Sequence, residues 1–251
     1  MDERNEGQAA VRVEDVGKSF DERQVLHELS FQVAAGEAFC LLGRSGAGKS
    51  VTLKLIIGLL KPDHGKIYIQ GEDIATLKRQ KLGEARKKIG FLFQGAALFD
   101  SITVAENVAF PLRRHTKKTD KEIRDIVHEK LAEVELEREG KKMPAELSGG
   151  MHKRAGLARA LALEPSILLV DEPSSGLDHI TADEIYDLLL SLKKKRHVTL
   201  IAVTHDTAGA KRFADRFAVL EHGTIAACGT PEELAESDDE EVRNLAAGTE
   251  R

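Results

Sequence analysis

Residues 43–50 read Gly-Arg-Ser-Gly-Ala-Gly-Lys-Ser, and no other stretch constrains the chain as strongly. The spacing is G-x-x-x-x-G-K-S. The bare apolar run Ala38-Phe39-Cys40-Leu41-Leu42 precedes it, and Leu53, Ile56, Ile57 and Leu60 follow at helical spacing. An uninterrupted apolar run of this length predicts a strand buried on both faces. Strand, glycine loop and helix together aim successive backbone N–H groups at one anion. The helix N-terminus adds favourable partial charge. Lys49 supplies a mobile full charge for β- and γ-phosphates, and Ser50 a hydroxyl for Mg²⁺. Gly43, Arg44, Ser45, Gly46, Ala47, Gly48, Lys49, Ser50 and Val51 are therefore the expected triphosphate-binding residues.

A second feature supports the first. Ile167 to Val170 is another bare apolar run, and it ends in Asp171-Glu172. In open α/β sheets, ligands bind beyond the carboxyl ends of the strands. Asp171 is thus placed to hold Mg²⁺, and Glu172 to act on the water that attacks a γ-phosphate. Strands are also expected over 11–20, 29–33, 67–69, 89–93 and 198–203, with a late hairpin from 217–220 and 224–227. Helices are expected from Lys49 to about Lys61, and over 120–136, 149–163 and 183–192. Strands alternating with helices predict an α/β fold with a largely parallel sheet. A helical insertion interrupts the alternation over 95–165.

Composition narrows the function classes. Of 251 residues, 41% are hydrophobic and 31% charged, which suits a globular chain. The net charge of −5 makes a dedicated nucleic-acid binder a poor fit. No run approaches the ~18 apolar residues of a membrane span. The first ten residues are polar, are expected to be loose, and lack the pattern of a secretory signal, so a cytoplasmic chain is expected. Cys40 and Cys228 lie far apart and outside metal spacing; both are expected as small buried apolar residues. The acidic run 237–241 reads as a solvated helix start or tail. The basic run 193–196 reads as a solvated helix end complementing its macrodipole.

Further segments carry a family resemblance. Leu147-Ser148-Gly149-Gly150-Met151 resembles the LSGGQ signature of ABC-transporter ATPases. Gln94 looks like the family's Q-loop glutamine, Ser175-Gly176-Leu177-Asp178 like its D-loop, and His205 like its switch histidine. Phe20, upstream of the phosphate loop, is similar to the aromatic that stacks on adenine. The order is the family's order, over 11–233. The resemblance implies a P-loop NTPase fold: a RecA-like core with an antiparallel β subdomain and an inserted α-helical subdomain. The corresponding division is a nucleotide-binding domain over 11–236 (core 11–94 and 166–236, helical subdomain 95–165) and a short acidic tail over 237–251.

That resemblance also implies ATP with Mg²⁺, and head-to-tail dimers that sandwich two ATPs. Ser148, Gly149 and Gly150 would then face the partner's γ-phosphate. Gln94 would contact Mg²⁺ and link the site to the insertion, Asp178 would lie at the dimer interface, and His205 would bind the γ-phosphate. Met151 replaces the signature glutamine, and Gly176 stands where alanine is commoner; neither change touches Lys49, Asp171, Glu172 or His205.

The segment Phe93-Gln94-Gly95-Ala96-Ala97-Leu98-Phe99-Asp100-Ser101, the LSGGM signature and the tail from Asp238 to Arg243 are similar to the Mla/Mkl-type (MlaF-like) subfamily. That similarity implies phospholipid transport between inner and outer membranes. A separate integral-membrane permease and an MCE-domain protein would be partners, with the chain peripheral on the cytoplasmic face of the inner membrane. An ABC ATPase for another cargo, such as an amino acid, metal or drug, stays open, as does a soluble ABC ATPase.

Overall fold

The computed structural model describes residues 9–247. The polar start expected over 1–10 lies outside the described residues except for Ala9 and Ala10, which open the first strand. Two long strands form first, β1 (Ala9–Phe20) and β2 (Arg23–Ala34). After the buried β3 (Ala38–Leu42) come α1 (Lys49–Ile56), β4 (His64–Ile69), β5 (Glu72–Asp73), α2 (Arg79–Lys87) and β6 (Ile89–Leu92). Three helices follow: α3 (Val104–His115), α4 (Asp120–Glu133) and α5 (Gly149–Leu161). The chain continues through β7 (Ile167–Asp171), α6 (His179–Arg196), β8 (Thr199–Thr204), α7 (Thr207–Ala210), β9 (Arg216–Glu221) and β10 (Thr224–Gly229). It ends with α8 (Pro231–Ala235) and α9 (Glu240–Ala247).

The strands make two sheets. One has four strands in the order β2-β1-β4-β5, and its pairings are antiparallel. The other has six in the order β10-β9-β3-β8-β7-β6. It is parallel from β9 to β6, and only the β9–β10 hairpin is antiparallel. This is the expected α/β architecture with an antiparallel subdomain and a helical insertion. The reason lies in the strand sequences. Alternate residues leave opposite faces of a strand. Ala38, Cys40 and Leu42 of β3 join a core shared with α3, α4, α5 and α6. Phe39 and Leu41 join a second core shared with β1, β2, β4 and α1. The strands β7, β8 and β9 divide their side chains in the same way.

Several expectations are corrected. Helix α1 stops at Ile56 rather than near Lys61, because Gly58 turns into the left-handed region at φ +70°. Cys40 is buried, but Cys228 is exposed, where Arg216 donates to its Sγ at 3.3 Å. The acidic run 237–241, read as a solvated helix start or tail, does open a helix, α9: Asp239 accepts from the Val242 N–H at 3.3 Å, and Val242 is buried in the helical-side core. The rest of the expected tail, 248–251, lies outside the described residues. Lys193 pairs with Asp215, and Arg196 with Glu129 and Glu133, so half the basic run is engaged within the chain. Among the described residues no helix is long and apolar enough to cross a membrane.

Candidate active site

The site forms where β3, β6, β7 and β8 end on the same side of the parallel sheet. Each delivers its residues at or just beyond the strand end: the glycine loop after β3, Gln94 after β6, Asp171 and Glu172 at the end of β7, and His205 after β8.

Glycines give the loop its shape. Gly48 has φ +107°, and a Cβ there would meet Leu26 Cδ2 at 2.7 Å. At Gly43 a Cβ would lie 2.5 Å from the Leu220 carbonyl oxygen. Gly48 is also the N-cap of α1 and offers no side chain to its N–H groups. Those donors are the four that every helix leaves unpaired at its start. Lys49 is 6% exposed. Its Nζ donates to the carbonyls of Gly43 at 2.6 Å and Arg44 at 3.2 Å, and pairs with Glu172 Oε1 at 3.4 Å.

Two carboxylates face this loop. The Ser50 hydroxyl donates to Asp171 Oδ1 at 2.8 Å. Burial pushes the Asp171 carboxyl above its ordinary pKa, against the downward pull of Ser50; the neighbouring Glu172 raises it further. Glu172 is 8% exposed, and its φ of +47° is unusual for a residue with a side chain. Its Oε2 accepts from Thr204 Oγ1 at 3.2 Å and lies 2.9 Å from His205 Nδ1. Ser50 and Asp171 are hard oxygen donors of the kind Mg²⁺ takes. Among the described residues no group of three or more His, Cys, Asp or Glu gathers into an all-protein cage. Few protein oxygens, with phosphate and water completing an octahedron, is the pattern typical of Mg²⁺; the residues fit that ion.

A cleft of about 420 Å³ joins these parts. Arg44, Ser45, Gly46 and Gly48 line it from the loop, and Lys49, Ser50 and Val51 from α1. Gln94, Glu172 and His205 close it. Gly43, Ala47 and Asp171 are not among its lining residues, and Ala47 lines a neighbouring cleft with Arg44, Ser45 and Gly46. Phe20 is 41% exposed at the end of β1 and does not line the cleft; Val25 of β2 does. The signature lies elsewhere. Ser148 caps α5, its Oγ accepting from the Met151 N–H at 3.3 Å. Gly149 and Gly150 follow, and a Cβ on Gly150 would lie 2.4 Å from Thr181 Cγ2. Asp178 caps α6 through the Thr181 N–H at 3.0 Å, so signature and D-loop touch at Thr181. Hydrogen bonds to Thr181 hold the Asp178 carboxyl below its usual value.

Sequence reasoning missed Val25 and two cations of α5. Lys153 and Arg159 both turn inward onto backbone carbonyls. A cation on a helix ordinarily reads as solvated, and no local pattern marks these two.

Comparison with known proteins agrees with this geometry. The family model described as ABC transporter matches residues 26–175. The chain is 44% identical over 239 residues to the probable ribonucleotide transport ATP-binding protein mkl of Mycobacterium leprae, covering 95% of this chain and 69% of that protein. It is 39% identical over 241 residues to the intermembrane phospholipid transport system ATP-binding protein MlaF of Haemophilus influenzae, covering 96% and 91%. Identity to the methionine import ATP-binding protein MetN 1 of Bacillus cereus is 41% over 229 residues, covering 89% and 66%. Among solved structures, the dimeric post-hydrolysis state of the ATP-binding cassette MJ0796 with ADP and Pi superposes with a TM-score of 0.81 at 34% identity, over 88% of this chain and 98% of that one. With a family match over more than half its length and relatives of this identity along nearly all of it, the chain belongs to the ABC transporter family as an ATP-binding subunit, an ATPase that works on ATP with Mg²⁺.

Proposed function

We propose that this chain powers phospholipid transport between two membranes, bound to the cytoplasmic face of a separate permease. The observation that carries the cargo is the match to MlaF, which spans 96% of this chain, insertion included. Residues 95–165 serve as the helical subdomain and, with Gln94, receive the permease. Residues 11–94 and 166–236 serve as the catalytic core. An MCE-domain protein completes the assembly, and nucleic acid has no part in it.

The chemistry follows from the side chains around the cleft. The N–H groups of 43–50 and Lys49 take the β- and γ-phosphates of ATP, with Phe20 at the adenine. To reach the phosphates, Lys49 exchanges the carbonyls of Gly43 and Arg44 for phosphate oxygens. Ser50, Asp171 and Gln94 would hold Mg²⁺, which when bound would neutralise phosphate charge. Glu172 takes the proton of the attacking water as its oxygen bonds to the γ-phosphorus and the bond to the β–γ bridging oxygen breaks. His205 Nδ1 lies 2.9 Å from Glu172 Oε2, and the histidine steadies the γ-phosphate. Ser148, Gly149, Gly150 and Asp178 complete the site of a second copy, head to tail; the dimer of MJ0796 is the supporting precedent.

The 41% identity to MetN 1 favours a second reading, methionine import. Affinity purification of this chain from its own membranes in mild detergent, followed by mass spectrometry, separates the two. A permease with an MCE-domain protein and bound phospholipid is the expected result. A permease with an amino-acid-binding protein overturns the lipid cargo and leaves the ATPase mechanism standing.

A further inference from the structure

Helix α5 starts at the signature, and one turn further on it carries a buried lysine. Lys153 is 5% exposed. Its Nζ donates to the Gln94 carbonyl and, at 2.9 Å, to the Glu172 carbonyl. Ser175 closes the ring. Its N–H donates to the Glu172 carbonyl at 3.2 Å, and its Oγ accepts from Gln94 Nε2 at 3.1 Å. Further along α5, Arg159 donates to the carbonyls of Ala96 at 2.7 Å and Ala97 at 2.5 Å. One helix thus makes three hydrogen bonds to the segment after β6 and one to the segment after β7.

This placement is not the default for lysine. A long aliphatic stem usually lets the ammonium snorkel to solvent. A buried charge is costly unless it is paired and hydrogen-bonded. Burial does pull the Lys153 pKa down, and the Asp171 and Glu172 carboxylates oppose that pull. The carbonyl it holds belongs to a residue in a sparsely populated conformation, Glu172 at φ +47°. Such residues persist where their surroundings over-determine them. Here the Val203 carbonyl takes the Glu172 N–H at 2.9 Å, and Lys153 and Ser175 take its carbonyl.

We propose that Lys153 is a positioning residue for hydrolysis: it fixes the Glu172 backbone, and with it the carboxylate, in register with Gln94, so that turnover depends on where α5 lies. The inference rests on Glu172 acting as the base. The helix that presents Ser148 to a partner's nucleotide is then the helix that sets Glu172 through Lys153. A backbone-held ammonium carries the coupling, and no side chain of the signature need touch Glu172.

The test uses the full chain purified with its membrane assembly and compares Lys153→Met, Lys153→Arg, Glu172→Gln and the Lys153→Met/Glu172→Gln pair. For Lys153→Met, kcat should fall about tenfold or more while KM and the affinity for a non-hydrolysed ATP analogue stay within about twofold. Lys153→Arg keeps the donors and should recover most of that loss. Glu172→Gln alone should collapse turnover; if it turns over like wild type, the reading of Glu172 fails and the inference falls with it. If Glu172→Gln collapses while Lys153→Met keeps its kcat, only the inference about Lys153 is overturned. In the Glu172→Gln background, Lys153→Met should change the residual rate by no more than about twofold, because the two act as one unit. A further tenfold loss there would show Lys153 acting elsewhere and overturn it. Should Lys153→Met not fold, Lys153→Gln keeps a neutral amide donor group on a shorter side chain and should lose about threefold in kcat; an unchanged kcat in that variant overturns the inference equally.

Discussion

The starts of α1 and α5 both hold glycine, Gly48 as the N-cap of one and Gly149 and Gly150 as the first residues of the other, yet they are finished in opposite ways. The start of α1 has no side-chain cap, a buried lysine in its first turn and two carboxylates across the cleft. It forms a cleft from residues of one chain. The start of α5 is capped by its own Ser148, and Ser148 and Gly149 lie exposed. In the proposed head-to-tail arrangement it is the surface that meets another. Helix α3 extends the series, because Thr103 and Glu106 satisfy its first donors reciprocally in a full capping box. The more completely a helix start is satisfied from within, the less it offers a ligand.

The largest expected effect breaks the first member. Lys49→Ala should cut ATP turnover by about 10³-fold, the upper range for loss of one preorganised electrostatic group. Steady-state phosphate release measures it, and a variant within tenfold of wild type would contradict the pocket's role. Ser148→Arg should separate the two helix starts. We expect turnover to drop about 10²-fold with ATP affinity of the single chain unchanged. Equal losses in turnover and affinity would mean that α5 serves the same pocket as α1. Gly150→Ala tests packing beneath the signature. Its Cβ would meet Thr181 Cγ2, which the Thr181 hydroxyl bond to Asp178 at 2.7 Å holds in place. The expected loss is about 1–3 kcal/mol by chemical denaturation. Adding Thr181→Ser, which removes that methyl and keeps the hydroxyl, should restore it.

The smallest effect belongs to α3, a structural control. Thr103→Ala should cost about 1 kcal/mol of stability and leave turnover alone. The hydrogen bonds from Thr103 hold the Glu106 carboxyl below its ordinary value of 4.5. A depressed folded-state pKa contributes stability that is present above the ordinary value and lost as pH falls through the folded one. The difference between wild type and Thr103→Ala should therefore shrink in acid. A constant difference from pH 7 to pH 3 would count against the box.

The parallel sheet was legible because β3, β7 and β8 are bare apolar runs, a pattern few other structures produce. The phosphate loop was legible because its spacing comes with strand and helix in place. Helix α2 was not, since none of its residues is buried and no apolar stripe marks it. Helix α3 hides behind Pro111, a residue that ordinarily argues against a helix interior. Lys153 is the instructive omission. Sequence periodicity separates apolar from polar faces, and a cation turned inward onto two carbonyls is polar by residue type and buried by tertiary contact. Cys228 misled in the other direction, as a small apolar residue on an exposed face of β10.

The central strands feed alternate side chains to two cores, and this makes the six-stranded sheet a partition wall. Odd and even positions of one short strand answer to different tenants. Phe39 answers to the nucleotide-binding side, and Cys40 to the helices of the insertion. If the helical side receives the permease, as proposed, substitutions there that spare the Lys153 contacts of α5 can suit a new membrane partner while keeping the packing under the phosphate loop. A lineage built this way can change what it moves while keeping how it burns ATP.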